Sequence, residues 1–230
     1  MRKLLQLAAA LALTGAATTH AQITSPDTLV APPPRNPAHT APREAPDLQW
    51  LWQYARPSNK PSLLADPRFT TLLREDLTAP QAFWGTGLPL SDAAQTFLAG
   101  IGDVAATDNR YLTVTGCVVD HCNQRGLLWI DLGQRDPLVV FAALRWNEQN
   151  KIPGQPDAPF TLWLFPARQL DPHQLPSALK QALALWAEPR DCTPYQISSA
   201  IIVDPNGVPH ATGSFDAGLQ PTVCTKGTHS

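Results

Sequence analysis

The sequence predicts an α+β fold: an antiparallel sheet of about five strands with flanking helices, a disulfide-closed loop at one strand end and a C-terminal β-hairpin extension. Three observations carry this reading. Strand-like apolar runs follow one another from Tyr111 to Phe165, separated by Gly, Asp, Asn and Pro clusters. Helical periodicity is confined to the margins of that block, at 66–77 and 177–188. Two cysteines, Cys117 and Cys122, bracket only four residues where an apolar run gives way to a polar step. Consecutive strands with helices set apart from them belong to α+β rather than to alternating folds.

The first element is an export signal, MRKLLQLAAALALTGAATTHAQ. Arg2 and Lys3 supply a basic start, an apolar run follows from Leu4 to Ala17, and small residues at Thr19 and Ala21 suit cleavage before Gln22. The run is too short to cross about 30 Å of hydrocarbon, and no cysteine follows it to carry a lipid. Residues 1–21 are therefore expected to direct the chain to a periplasm and to be removed there. Without them the chain has 15 basic and 19 acidic residues, a net charge of −4. That mild bias favours a basic partner and argues against nucleic acid.

Residues 22–47 carry seven prolines and almost no large apolar side chain, so a disordered tether is expected. The main domain is placed at 48–188. Within it, 47–55 (DLQWLWQYA) reads either as a short helix or as an aromatic-rich strand. Residues 66–77 read as a helix, with Asp66 as N-cap, Pro67 in the first turn, and Phe69, Leu72 and Leu73 on one face. A turn-rich link at 83–92 precedes strands at 111–117, 126–132, 137–146 and 160–165. The helix at 177–188 carries Leu179, Leu183 and Trp186 on one stripe. Residues 189–230 are assigned to the extension, a hairpin turning at Asp204-Pro205-Asn206-Gly207 and closed by a disulfide.

Four cysteines in an exported chain point to two disulfides, and Cys117–Cys122 with Cys192–Cys224 keeps each pair local. The smaller ring adds only about 2 kcal/mol by chain entropy, so its purpose is shape. Cys117, His121 and Cys122 also have metal-binding chemistry, but no second ligand pair accompanies them and no metal or other cofactor is expected. A redox pair prefers two intervening residues, and a cysteine nucleophile would leave an odd thiol in an exported chain. No G-x-S-x-G elbow or H-E-x-x-H helix occurs, so the chain is not expected to be an enzyme. What remains is a stapled loop, either a structural turn or a rigid plug that loses little entropy on docking.

At this loop the sequence resembles the inhibitors of vertebrate lysozyme (the Ivy family). Their loop, Cys-Lys-Pro-His-Asp-Cys, has the spacing of CVVDHC at 117–122. Tyr111 stands six residues before Cys117, as the family's strand tyrosine does, and Phe83-Trp84 and a turn-rich link precede it in the family's order. The resemblance covers roughly residues 66–165. It implies a protein that inserts this loop into a lysozyme cleft, its histidine hydrogen-bonding the catalytic carboxylates. The loop departs from the family's: Asp120 stands third after the first cysteine and His121 fourth, reversing the family's order, and Val118-Val119 replaces Lys-Pro.

The expected function is thus a periplasmic inhibitor of a lysozyme-like peptidoglycan hydrolase, with Val118, Val119, Asp120, His121, Asn123, Gln124 and Arg125 as the inhibitory loop. The partner is that hydrolase, either a lysozyme or a toxic muramidase or amidase effector against which the chain confers immunity. The alternative is an envelope binding or assembly module with a structural cysteine loop, using exposed aromatics among Trp50, Trp52, Trp84 and Trp146.

Overall fold

Apolar runs between residues 111 and 203, rich in β-branched and aromatic residues, pair with two short edge segments into a single seven-stranded sheet whose spatial order follows the chain. Its strands are β1 (Val104–Thr107), β2 (Tyr111–Val118), β3 (His121–Asp131), β4 (Leu138–Trp146), β5 (Pro159–Pro166), β6 (Gln196–Val203) and β7 (Pro209–Thr212). The helices are α1 (Lys60–Ala65), α2 (Pro67–Asp76), α3 (Leu90–Ala99) and α4 (Ser177–Ala187), with 3₁₀ turns at Gln49–Tyr54 and Pro57–Asn59. This computed structural model describes residues 47–80, 88–146, 159–187 and 196–219. The chain divides into two units, Met1–Arg43 and Glu44–Ser230, and all the described residues lie in the second. The signal segment, almost all of the tether, Phe83, Trp84, Cys192 and Cys224 lie outside them.

The α+β class stands, with two corrections to the sheet. It has seven strands instead of about five, and it is mixed: β5 and β6 run parallel while every other neighbouring pair is antiparallel. The parallel step follows from the position of α4. A parallel neighbour needs a crossover of a dozen or more residues, and the stretch from 167 to 195 carries that helix. The C-terminal hairpin, β6 with β7, therefore extends the same sheet. β1 and α3 complete the architecture. Residues 104–107, VAAT, are too short and too alanine-rich to read as a strand, and LSDAAQTFLA had no expected element beyond the end of the turn-rich link.

Helices cover the sheet on both faces. On one, Leu112, Val114, Leu128, Ile130, Val139 and Phe141 pack with Leu63, Phe69, Leu73, Phe97 and Leu98 of α1–α3. On the other, Leu127, Trp129, Val140, Ala142, Leu144 and Leu162 pack with Leu179, Leu183 and Trp186 of α4. Strands buried on both faces need apolar residues at every position, which is why 138–144 shows no alternation. Local chemistry sets the ends of elements as read. Asp66 caps α2 by accepting the Arg68 amide at 2.8 Å, and Pro67 opens the helix. Of the two readings of 47–55, the helical one holds, as a 3₁₀ turn. At the β6–β7 turn, Asp204 Oδ1 accepts the amides of Asn206 and Val208, and Gly207 takes φ +86°.

Three buried carboxylates make the fold acid-sensitive. The Arg68 guanidinium, the Arg68 amide and the Tyr54 hydroxyl hold the Asp66 carboxyl well below its usual range, against the upward push of burial. Burial pushes Asp131 up, but hydrogen bonds from Arg110, Gln134 and the Gly133 amide leave it below its ordinary value. The Val208 amide lowers Asp204 most, against burial, and the Asn206 amide and His210 add to it. Each group binds a proton less readily when folded, so its stabilisation is complete above the unfolded value, about 3.9. It is lost as pH falls below that through the lowered folded values. Urea midpoints should be level from pH 7 to 5 and decline below about pH 4; a midpoint unchanged down to pH 2 would contradict this.

Candidate functional site

The stapled loop is a hairpin tip. β2 and β3 pair regularly through Gly116↔Gly126 and Cys117↔Arg125, and the next pair is Val118↔His121. Cys122, Asn123 and Gln124 are thus unopposed on β3, and the strand bulges there. Val119 and Asp120 form the turn, with Asp120 at φ +63°, a left-handed conformation that aspartate tolerates better than most residues. The disulfide joins Cys117, 3% exposed, to Cys122 on the exposed bulge, across a Cα separation of 4.8 Å. One end of the ring is therefore fixed in the core and the other faces solvent.

The base of the hairpin is clamped by the C-terminal end of α3. Gly116 and Gly126 face each other, and their missing side chains let that helix lie directly on the sheet. A Cβ at Gly116 would stand 2.5 Å from the Leu98 backbone, and one at Gly126 would stand 2.8 Å from Phe97. The Gly100 amide donates to the Cys117 carbonyl at 2.7 Å, and the Thr115 amide donates to Asp103 O at 2.8 Å. Lys60, 4% exposed, donates from Nζ to the Gly100 carbonyl. Burial lowers the Lys60 ammonium's pKa, partly offset by the Asp103 carboxylate.

The seven loop residues divide into three groups. Val119, Asp120 and His121 form an exposed tip, with Val119 56% exposed. Val118 is half-buried against the core on the α1–α3 face, and Asn123 and Gln124 are half-buried on the bulge. Arg125 is committed to packing. Its Nη2 donates to the Trp186 carbonyl at 2.6 Å and its guanidinium lies 5.5 Å from the Trp186 ring, where a cation suits the negative end of α4. The sequence reading missed Ile101, 76% exposed on the turn that hydrogen-bonds the hairpin base. Its signal was Gly100-Ile101-Gly102, an apolar residue between two glycines.

Tyr111 does not belong to this site. It lies at the other end of β2, roughly 20 Å from the tip at the rise of a strand, and it stacks on Trp129 at 5.4 Å. Of the aromatics considered for ligand binding, Trp50 is half-buried with the Arg68 guanidinium 4.3 Å from its ring, beside a cleft of about 300 Å³ lined also by Asp47 and Glu75. Trp52 is half-buried and donates to Gln49. Trp84 and the Trp146 side chain lie outside the described residues. Among the described residues no cluster of three His, Cys, Asp or Glu side chains could hold a metal ion, and no helix is long and apolar enough to cross a membrane.

Chemically, the tip pairs an acceptor with a donor. Asp120 offers carboxylate oxygens and His121 an imidazole, side by side in sequence and both in solvent. No family model matches the chain, and neither does any curated protein or solved structure.

Proposed function

We propose that the protein is a periplasmic inhibitor of a peptidoglycan hydrolase and blocks the enzyme's cleft with the tip of the β2–β3 hairpin. One observation carries the reading: three exposed tip residues stand on a hairpin whose base is stapled, bulged and clamped by α3. A preordered tip avoids the ordering cost of about 0.5–1.5 kcal/mol per flexible side chain that docking otherwise incurs. His121 would donate to a catalytic carboxylate of the hydrolase, while Asp120 meets a basic group at the cleft rim. The altered order of Asp120 and His121 favours a dedicated target, such as a toxic muramidase or amidase against which the chain confers immunity.

The test is lysis of purified cell walls by a muramidase and amidase panel, with and without the oxidised protein. Saturable, near-stoichiometric inhibition of one member is expected. In the Asp120→Ala/His121→Ala double variant the inhibition constant should rise roughly 30-fold or more, the scale of an interface hot spot. Both side chains are exposed, and alanine at the left-handed Asp120 position should cost only about 1 kcal/mol, so the variant should stay folded at the assay temperature. Inhibition unchanged in that variant would move the site off the tip.

A second reading, an envelope binding module with a structural cysteine loop, draws support from Arg125, which spends its guanidinium on α4, and from the cleft beside Trp50. It predicts no inhibition of any hydrolase and retention on purified cell-wall sacculi. Loss of that retention in Trp50→Ala would place it at the cleft.

A further inference from the structure

Exposed apolar side chains are ordinary on a folded surface, and Leu185, Val208 and Phe215 are such residues, on α4 and around β7. Ile101 differs from them in how it is held. It stands between Gly100 and Gly102 on the segment that leads from α3 into β1. That segment lies against the base of the stapled hairpin. A Cβ at Gly100 would stand 2.6 Å from the Cys117 carbonyl oxygen, and one at Gly102 would overlap the Thr115 carbonyl. Only glycine lets the backbone lie so close, and Ile101, the one side chain between them, is left 76% exposed.

The segment is pinned at both ends. The Gly100 amide donates to the Cys117 carbonyl. At the other end the Asp103 amide donates to Thr115 Oγ1 at 2.9 Å, and the Asp103 carbonyl accepts the Thr115 amide. Lys60 gives its buried ammonium to the Gly100 carbonyl. A lysine is rarely buried, because taking its charge out of water is costly, and this one fixes a turn whose own side chain is in solvent. Isoleucine is itself stiff at χ1 and loses little freedom when covered. Ile101 belongs to neither core cluster, so a large apolar group is held in place in water where folding makes no use of it.

Its position selects the partner. Ile101 lies beside Cys117, about 5 Å away at the spacing of neighbouring strands. Val119 follows Cys117 two residues further along the hairpin, about 7 Å at the rise of a strand, so Ile101 and the tip stand within about 10 Å of each other. A standard interface covers about 800 Å² on each partner and is roughly 30 Å across. A hydrolase that takes in the tip therefore reaches Ile101 with the rim of its cleft. A polar rim would lose its hydration against isoleucine without gaining a hydrogen bond, so the surface that fits is apolar. We propose that Ile101 is a second anchor of the inhibitor, seated in an apolar recess on the rim of the cleft that receives Val119, Asp120 and His121. The inference rests on the inhibitor reading and adds specificity to it: hydrolases with a polar or charged rim at that place are spared.

The test uses the member of the muramidase and amidase panel that the full chain inhibits, with Ile101→Ser, Ile101→Val and, as a control, Leu185→Ser. Each replaced side chain is exposed, so all three variants should keep the parent's urea midpoint. Ile101→Ser should raise the inhibition constant about tenfold or more, the effect of losing one buried aliphatic side chain at an interface. The change should lie in dissociation, with association little altered. Ile101→Val should keep most of the inhibition and Leu185→Ser all of it. Because the contact is apolar, the ratio between the parent and Ile101→Ser should be the same at low and high salt. Unchanged inhibition by Ile101→Ser, with the parent still inhibiting, would overturn this inference and leave the tip as the whole site. A ratio that shrinks as salt rises would overturn it by showing a charged contact. Sedimentation could instead show that Ile101→Ser separates a parent dimer while inhibition stays intact, which would make Ile101 a contact between copies and sink the proposal. If the parent inhibits no member of the panel, the inhibitor reading fails and takes this inference with it.

Discussion

Phe141→Ala is expected to lower stability by about 3–5 kcal/mol, the range for emptying a buried phenylalanine site. Phe141 is fully buried at the middle of β4, stacked on Phe165 at 5.9 Å and edge-on to Phe97 at 6.3 Å. Those contacts join a central strand, its neighbour β5 and helix α3. Neighbours on a sheet cannot collapse into the void as a loop could, because the ladder fixes their spacing, so most of the cavity should persist. With a total stability of about 5–15 kcal/mol for a domain of this kind, the variant should lose roughly a fifth or more of it and unfold at a clearly lower urea concentration. Leu185→Ala removes a side chain of similar hydrophobicity from solvent and should stay within about 0.5 kcal/mol of the parent. Urea denaturation of the two variants measures the difference; comparable losses would mean that Phe141 does not sit in the core as described.

Much of this core was legible in the sequence, and the reasons are local. The apolar run at 137–146 has no alternation because both faces of β4 are covered, and burial on two sides leaves that signature whatever the partners are. α2 was legible from Asp66, Pro67 and the Phe69, Leu72, Leu73 face, all of which act within one or two turns. What escaped depends on distant residues. β1 forms because β2 offers it a ladder and α3 delivers the chain beside it; VAAT has little strand preference of its own. The parallel β5–β6 pairing is decided by where α4 lets the chain return, which no window of ten residues contains.

The same division holds at the site. The stapled ring and its exposed tip could be read from the spacing of Cys117 and Cys122. The bulge at Cys122, Asn123 and Gln124 could not, since it is a slip between two strands. Arg125 looked like one more polar loop residue, yet it holds the end of a helix 61 residues further along the chain. Gly116 and Gly126 gave no functional signal because their meaning lies in the helix that rests on them.

Those glycines make the strongest link between packing and the proposed activity. Gly116→Val should cost about 3 kcal/mol, the upper end for forcing extra atoms into a packed interface. The first added carbon would lie 2.5–2.6 Å from the Cα, carbonyl carbon and carbonyl oxygen of Leu98. These are backbone atoms, so no side-chain rotation relieves the overlap and α3 must lift from the sheet. Gly213→Ala is the control: its Cβ would meet Asp216 at an ordinary 3.4 Å, and the change should be within about 0.5 kcal/mol of neutral. When α3 lifts, the Gly100–Cys117 and Asp103–Thr115 hydrogen bonds go with it, while the Cys117–Cys122 bond stays. The tip would keep its residues and its staple but lose its fixed aim. If inhibition depends on a preordered tip, Gly116→Val assayed well below its melting temperature should inhibit a susceptible hydrolase at least tenfold less well, with dissociation faster and association little changed. Full inhibition by a folded Gly116→Val protein would mean that the clamp serves stability alone, and that the staple by itself presents Val119, Asp120 and His121.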